Sequence, residues 1–358
     1  MTFKQQFPIL DSCTYLNTAN SGILSHDLLA WRHAHDTDFL GRGSSFRLTQ
    51  AQFLQEVKQT LSGFFTAKTE NTYLVPNFST GFNTLLSGLA PTHRFLLLEE
   101  DYPSVNYPVT SRGFSCDYVK VDQHLEENIL EKVRSFKPTI LALSIVQYIN
   151  GIKVDLVFIK KLKDLYPDLL IIADGTQYCG TEDFNFEASG LDVLISSGYK
   201  WMLGGYGNGF LLMKAQVASQ IYGSNQPQTG LKEPNNHHEL LKLCFEPGHQ
   251  DTLAFGTLKQ STLYLERLGK GFIENQIKAL SHKAKSAFAE RGLLEEAVVW
   301  RKDHSSIFSL QIHEEVYQKL QAANIVLSLR GKGVRVSMHF YNTTEELEYL
   351  LAVIDQSL

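Results

Sequence analysis

The chain of 358 residues is 43% apolar and 20% charged, proportions that suit a globular protein with one large and one small domain. Its net charge of −5 comes from interleaved acids and bases, which speaks against nucleic acid or a membrane surface as a partner, and no apolar run approaches membrane-spanning length. Cys13, Cys116, Cys179 and Cys244 are scattered without metal-ligand spacing, and the opening MTFKQQFPIL has no secretory pattern, so free thiols and a cytoplasmic location are expected.

Residues 13–24 form a short apolar strand followed by small polar residues. His33 and His35 stand two apart on a helical segment and do not share a face, so no metal site is expected there. Apolar residues at Phe53, Val57, Leu61 and Phe64 predict a helix over 50–64. A strand over 72–75 then leads through Pro76 and Asn77 into an apolar helix, with Ser79, Thr80 and Gly81 at the junction. Such a junction offers hydroxyls and backbone N–H groups at the positive end of a helix dipole, a phosphate cup; taken alone it reads first as an N-cap by Ser79 or Thr80, and taken with Asp174 and Lys200 as the phosphate cup.

Further strands are predicted over 95–98, 117–121 and 139–145. The first ends at an acidic run before Tyr102, and the last at Gln147-Tyr148-Ile149-Asn150-Gly151, where Gln147 is the polar candidate and Asn150-Gly151 a turn. Asp155 caps a helix over 156–165, closed by Pro167. The apolar run 169–173 reads as a buried parallel strand ending in Asp174-Gly175-Thr176-Gln177. Another over 191–195 delivers Ser197-Gly198-Tyr199-Lys200 before a glycine-dense turn and the apolar run 210–213. Strands alternating with helices from Thr72 to Met213 make an α/β fold, a mostly parallel sheet with helices on both faces. The Gly205-Tyr206-Gly207-Asn208-Gly209 run is not a dinucleotide signature, since it leads into a strand, and the chain has no P-loop.

Residues 222–239 read as a polar loop, and the adjacent His237 and His238 diverge and make no metal pair. A helical stretch over 253–291, broken near Gly269, leads to a small α+β unit with strands over 298–300, 307–312, 325–329 and 334–337 and helices over 314–323 and 343–354. Thr343 and Glu346 form a capping box for the last helix. Arg330 and Arg335 are candidates to grip a carboxylate with a bidentate fork.

Ligands of open α/β sheets sit at the carboxyl ends of strands, where Asp174 lies, and a lysine enclosed by aromatic neighbours is desolvated into a nucleophile. A strand-end carboxylate followed by such a lysine suits a pyridoxal phosphate enzyme: the aspartate keeps the ring nitrogen protonated and the lysine holds the aldehyde as a Schiff base. Asp174-Gly175-Thr176-Gln177 with Ser197-Gly198-Tyr199-Lys200 resembles the fold-type I pyridoxal 5'-phosphate enzymes, specifically the class V aminotransferase group that includes cysteine desulfurases, kynureninase and isopenicillin N epimerase.

The resemblance covers nearly the whole chain and implies an N-terminal segment (1–30) folded over the active site and small domain, a large cofactor domain (31–255) and a connecting helix with a small C-terminal domain (256–358). It implies Lys200 and Asp174 as catalytic residues. It places Ser79, Thr80 and Gly81 on the phosphate, Tyr102 on the ring face, and Gln147, Gln177, Ser197 and Tyr199 around the cofactor. Ala19 and Asn20 then line the substrate pocket. Arg330 takes the position of the family's carboxylate-binding arginine, and Arg335 a structural one. His249 replaces a threonine that reaches the partner subunit's phosphate in a homodimer. Tyr199 departs from the histidine common before the lysine in desulfurases, and no cysteine follows Arg330, where desulfurases carry one. Transamination between an amino acid and a 2-oxo acid is therefore ranked first, with a cysteine or selenocysteine lyase or an epimerase as alternatives. A degenerate cofactor-binding regulator is the reading outside enzymes, and an intact Lys200 and Asp174 argue against it.

Overall fold

The computed structural model describes residues 3–222 and 236–357. A seven-stranded sheet runs in the order Thr72–Val75, Gly209–Met213, Val193–Ser197, Leu170–Asp174, Ile140–Ser144, Arg94–Leu98, Ser115–Val119. Gly209–Met213 is antiparallel to both neighbours, and every other pairing is parallel. The alternation of side chains along each strand divides the apolar residues between two cores. Leu74, Leu96, Leu141, Ile171 and Leu194 face one cluster, while Tyr73, Phe95, Ile140, Ile172 and Val193 face the other. Helices Gln50–Phe65 and Leu156–Leu165 cover the first face and Phe78–Ser87 and Pro103–Ser111 the second, which is why these strands read as continuously apolar.

The C-terminal part holds a three-stranded antiparallel sheet of Ser328–Arg330, Gly333–Ser337 and Ile307–Leu310. The N-terminal segment reaches it: Thr14–Tyr15 pairs in parallel with Ile325–Val326, and Asn17 bridges to Ser337. Helices Thr252–Leu268 and Lys270–Glu290 meet at Gly269, whose φ of 89° lies in the left-handed region. The capping box at Thr343 and Glu346 is present, as is the Asp155 cap.

Three local expectations are corrected. Residues 296–300 form a helical turn rather than a strand; Val298 is buried while Val299 and Trp300 are exposed, and Trp300 Nε1 donates back one turn to Glu296. The expected strand 325–329 is split at Leu327, each half pairing with a different partner. The expected loop 222–239 ends early, because Asn236 caps a helix over His237–Phe245; the stretch 223–235 lies outside the described residues.

Candidate active site

Three strand ends and one helix start converge on a single cavity of about 590 Å³. Asp174 is the last residue of its strand, and its Oδ1 accepts the Thr176 N–H at 2.8 Å. Thr176 Oγ1 in turn accepts the Ser197 N–H at 3.1 Å, and Ser197 Oγ accepts the Phe78 N–H at 2.9 Å. This relay ties the aspartate loop, the lysine-bearing strand and the first turn of the Phe78–Ser87 helix into one rigid rim. The cap of that helix is Asn77, whose Oδ1 accepts the Thr80 N–H at 2.8 Å. The capping role considered for Ser79 or Thr80 thus falls to Asn77, and both residues line the cavity at the helix N-terminus, their hydroxyls without a partner among the described residues. Gly81 does not line it; a Cβ there would stand 3.1 Å from Ile195 and Val75, so this glycine lets the helix lie close on the sheet.

Lys200 is 8% exposed, and its Nζ makes no hydrogen bond or ion pair among the described residues. It sits 5.4 Å from the Tyr199 ring centroid and 5.9 Å from that of Tyr102. Burial holds its pKa far below that of an ordinary lysine; Asp174 opposes that shift, and Arg335 and Arg330 add to it. Burial raises the Asp174 carboxyl, against the hydrogen bonds from Thr176 and the charge of Lys200. A buried amine without an acceptor among the described residues, set near a buried carboxyl, is costly to keep unless a ligand completes the site. Pyridoxal phosphate fits these residues. Lys200 would hold its aldehyde carbon, Asp174 its ring N–H, Ser79, Thr80 and Ser197 with the helix N-terminus its phosphate, and Tyr102 a ring face.

Asp101, whose part the sequence did not reveal, fixes Tyr102. Its two oxygens accept the Tyr102 N–H at 2.7 Å and the Ser144 N–H at 2.8 Å. In the sequence it stands within the acidic run Glu99-Glu100-Asp101 before Tyr102, where nothing local singles it out.

An adjoining pocket of about 460 Å³ is lined by Asn20, Tyr148, Lys200, Arg330 and Arg335, among others. Arg335, expected to be structural, is 2% exposed and has no carboxylate partner among the described residues. Its Nη1 donates to the Tyr148 carbonyl at 2.8 Å, its Nε has no partner among the described residues, and burial pushes its pKa down to about 10. Arg330, the first choice from sequence, is exposed and donates to Asn20 Oδ1 at 2.8 Å. The buried cation that lacks a counter-ion is therefore Arg335, which no local pattern distinguished, because its burial comes from packing between Tyr148 and the Ile307–Leu310 strand.

Other expected cofactor contacts are engaged elsewhere. Gln177 borders the cavity, but its Nε2 donates to the Ala19 carbonyl at 2.9 Å and its Oε1 accepts from Trp201 Nε1 at 2.8 Å. It fastens the N-terminal segment to the lysine loop. The contact is reinforced where Gly22 N–H donates to the Tyr199 carbonyl at 2.8 Å; a Cβ on Gly22 would stand 2.2 Å from the Lys200 carbonyl. Gln147 is spent on its own turn, donating to the Glu100 carbonyl at 2.8 Å and accepting from Ile149 N–H at 2.6 Å. His249 is exposed and borders no part of the cavity within its own chain. Tyr199 lines the cavity and stacks on Tyr206 at 5.1 Å.

The family model "Aminotransferase class-V" matches residues 41–350. The "Uncharacterized aminotransferase YcbU" of Bacillus subtilis (strain 168) is 20% identical over 368 residues, covering 98% of this chain and 95% of that protein. Among solved structures, the cysteine desulfurase of Thermococcus onnurineus NA1 superposes with a TM-score of 0.83 at 18% identity, covering 99% of this chain and 96% of that one. The cystine C-S lyase C-DES, solved with its product cysteine persulfide, gives 0.82 at 21% identity, covering 97% and 98%. A NifS-like protein of Rickettsia africae ESF-5 gives 0.74 at 13% identity, covering 96% and 99%.

Proposed function

The chain belongs to the aminotransferase class-V family of fold-type I pyridoxal phosphate enzymes, and from that premise we propose that it is a lyase that expels a sulfur-bonded group from Cβ of an amino acid. The observation that carries an amino acid substrate is the buried, unpaired Arg335 in the same pocket as the Lys200 amine. Arg335 binds the substrate carboxylate, helped at the rim by Arg330 and Asn20, and so presents the substrate amine toward the Lys200 side. Bound pyridoxal phosphate supplies an aldehyde to capture that amine and a ring to take up the charge left at Cα. Lys200 Nζ, whose ammonium form is disfavoured by burial, receives the Cα proton, and Asp174 keeps the proton on the ring nitrogen.

Elimination is preferred to transamination because the solved structures it resembles include cysteine desulfurases and a cystine C-S lyase. Sulfur transfer through a persulfide on this chain is disfavoured. Only Gly331 and Lys332 separate the strands that carry Arg330 and Arg335, so no loop extends there, and Cys179 is buried with its thiol pushed up to about 12. The second reading, transamination, is favoured by the family's name and by the YcbU relative.

The discriminating experiment supplies cystine or an S-substituted cysteine with no 2-oxo acid present. Ammonia, a 2-oxo acid and the sulfur-bearing product in equal amounts support elimination. Amino transfer that needs an added 2-oxo acid overturns it, and release of alanine places the enzyme with the desulfurases. A homodimer and a cytoplasmic location belong to the same reading. His249, exposed on its own chain, reaches the partner's phosphate site, and His249→Ala weakens cofactor retention. A monomer that retains the cofactor fully overturns this part.

A further inference from the structure

Three cavities adjoin at the site: the cofactor cavity, the arginine pocket and an outer cavity of about 840 Å³ bordered by Glu100, Pro103, Ile149, Glu295, His313 and Lys332. Among the described residues, Tyr148 is the one that lines all three. Its place is set by the backbone. The Tyr148 carbonyl holds Arg335 at 2.8 Å, and Gln147 closes the turn by accepting the Ile149 N–H at 2.6 Å. The ring packs edge-on against Tyr102, with centroids 5.3 Å apart and planes at 74°. Its hydroxyl has no hydrogen-bond partner among the described residues.

We propose that Tyr148 is the proton donor to the sulfur that leaves Cβ, and that the outer cavity receives the departing group. This rests on the lyase reading above. With the carboxylate on Arg335 and the amine toward Lys200, the cofactor cavity and the arginine pocket are occupied, and a Cβ substituent is left with the outer cavity. The way there passes Tyr148. In this step the Cα–H bond breaks and its proton passes to Lys200 Nζ; a Cα=Cβ bond forms as the Cβ–S bond breaks. The sulfur departs with the bonding pair and takes the Tyr148 hydroxyl proton, and the phenolate is restored by the Lys200 ammonium or by water. No oxidant or reductant is required. Burial, aided by Asp101, raises the Tyr148 pKa, so the hydroxyl holds its proton at neutral pH until the sulfur demands it. Tyr102 and Tyr199 also carry hydroxyls without a partner among the described residues, yet neither borders the outer cavity.

The test compares cysteine S-conjugates whose leaving thiols differ in acidity. Tyr148→Phe keeps the ring against Tyr102 and removes only the hydroxyl. It is expected to slow release of methanethiol from S-methylcysteine about 100-fold, while release of the acidic nitrothiophenol from S-(2-nitrophenyl)cysteine stays within about threefold. Tyr102→Phe slows both alike. On the cofactor-free protein, calorimetry with 3-mercaptopropionate, which carries the carboxylate and the sulfur without the amine, should show Tyr148→Phe binding roughly three- to tenfold more weakly, with propionate bound equally by both. Equal slowing of both conjugates by Tyr148→Phe overturns the role of Tyr148 and leaves the lyase reading standing. A wild-type protein that releases neither thiol overturns the lyase reading and this inference with it.

Discussion

On the cofactor side of the cavity, Asp174 and Ser197 stand at the ends of adjacent parallel strands, and Lys200 follows directly. On the substrate side, Asn20 meets Arg330 across 310 residues, Ala19 N–H donates to Ser337 Oγ across 318, and Gln177 holds Ala19 across 158. The first half is set by the sheet, whose adjacent strand ends place its residues. The second is a junction of three separate segments, so its geometry depends on their docking. Substitutions on the two sides should therefore separate: cofactor-side changes abolish chemistry, and substrate-side changes mainly raise KM.

The largest effect is expected at Lys200. Lys200→Ala removes the amine that captures the cofactor and moves the proton, and turnover should fall by about 10³-fold or more. Borohydride treatment should leave the cofactor covalently attached to the wild type and not to the variant. Attachment at another lysine would break the comparison at its root.

Next comes Arg335. Replacing it with Gln removes the buried cation, and kcat/KM should fall on the order of 100-fold, carried mainly by KM. Arg330→Gln, at an exposed position that shares its load with Asn20, should cost less than about tenfold. Steady-state kinetics on both variants ranks the two arginines, and a larger loss at Arg330 would restore the ranking drawn from sequence.

Gln177→Leu sharpens the boundary between the halves. If Gln177 serves chiefly as the tie between Ala19 and Trp201, cofactor affinity should change by less than about threefold while KM rises roughly tenfold, since buried partners are left unsatisfied. Loss of cofactor affinity with KM unchanged would return Gln177 to the cofactor.

The smallest effect is in the pH dependence of stability of the cofactor-free protein. The raised Asp174 binds a proton in the folded state that it lacks unfolded, so its contribution to stability falls as pH rises from its ordinary 3.8 through its folded value. The lowered Lys200 has the opposite sign: the unfolded chain binds more protons, so stability rises between its folded value and the ordinary 10.5. Thermal melts across pH should show the falling limb vanish in Asp174→Asn and the rising limb vanish in Lys200→Met. Limbs that survive these substitutions belong to other groups.

What the sequence by itself determined is what local pattern controls. Apolar runs punctuated by polar turns specify the strands, the step from Asp174 to Gly175 and from Ser197 to Gly198 marks where two of them stop, and strand ends in such sheets are where ligands bind. That Asp174 and Lys200 border one cavity was legible for that reason. Residues 298–300 misled because two valines and a tryptophan suit a strand, and only packing decided that a single one of them would be buried. The surroundings of Arg335, Tyr148, Asp101 and Gln177 were decided by tertiary structure alone. Whether an arginine meets an acid, or an amide keeps a free end, depends on segments hundreds of residues away. The free energy of leaving a buried polar group unpaired is set by that meeting and not by its neighbours in the chain.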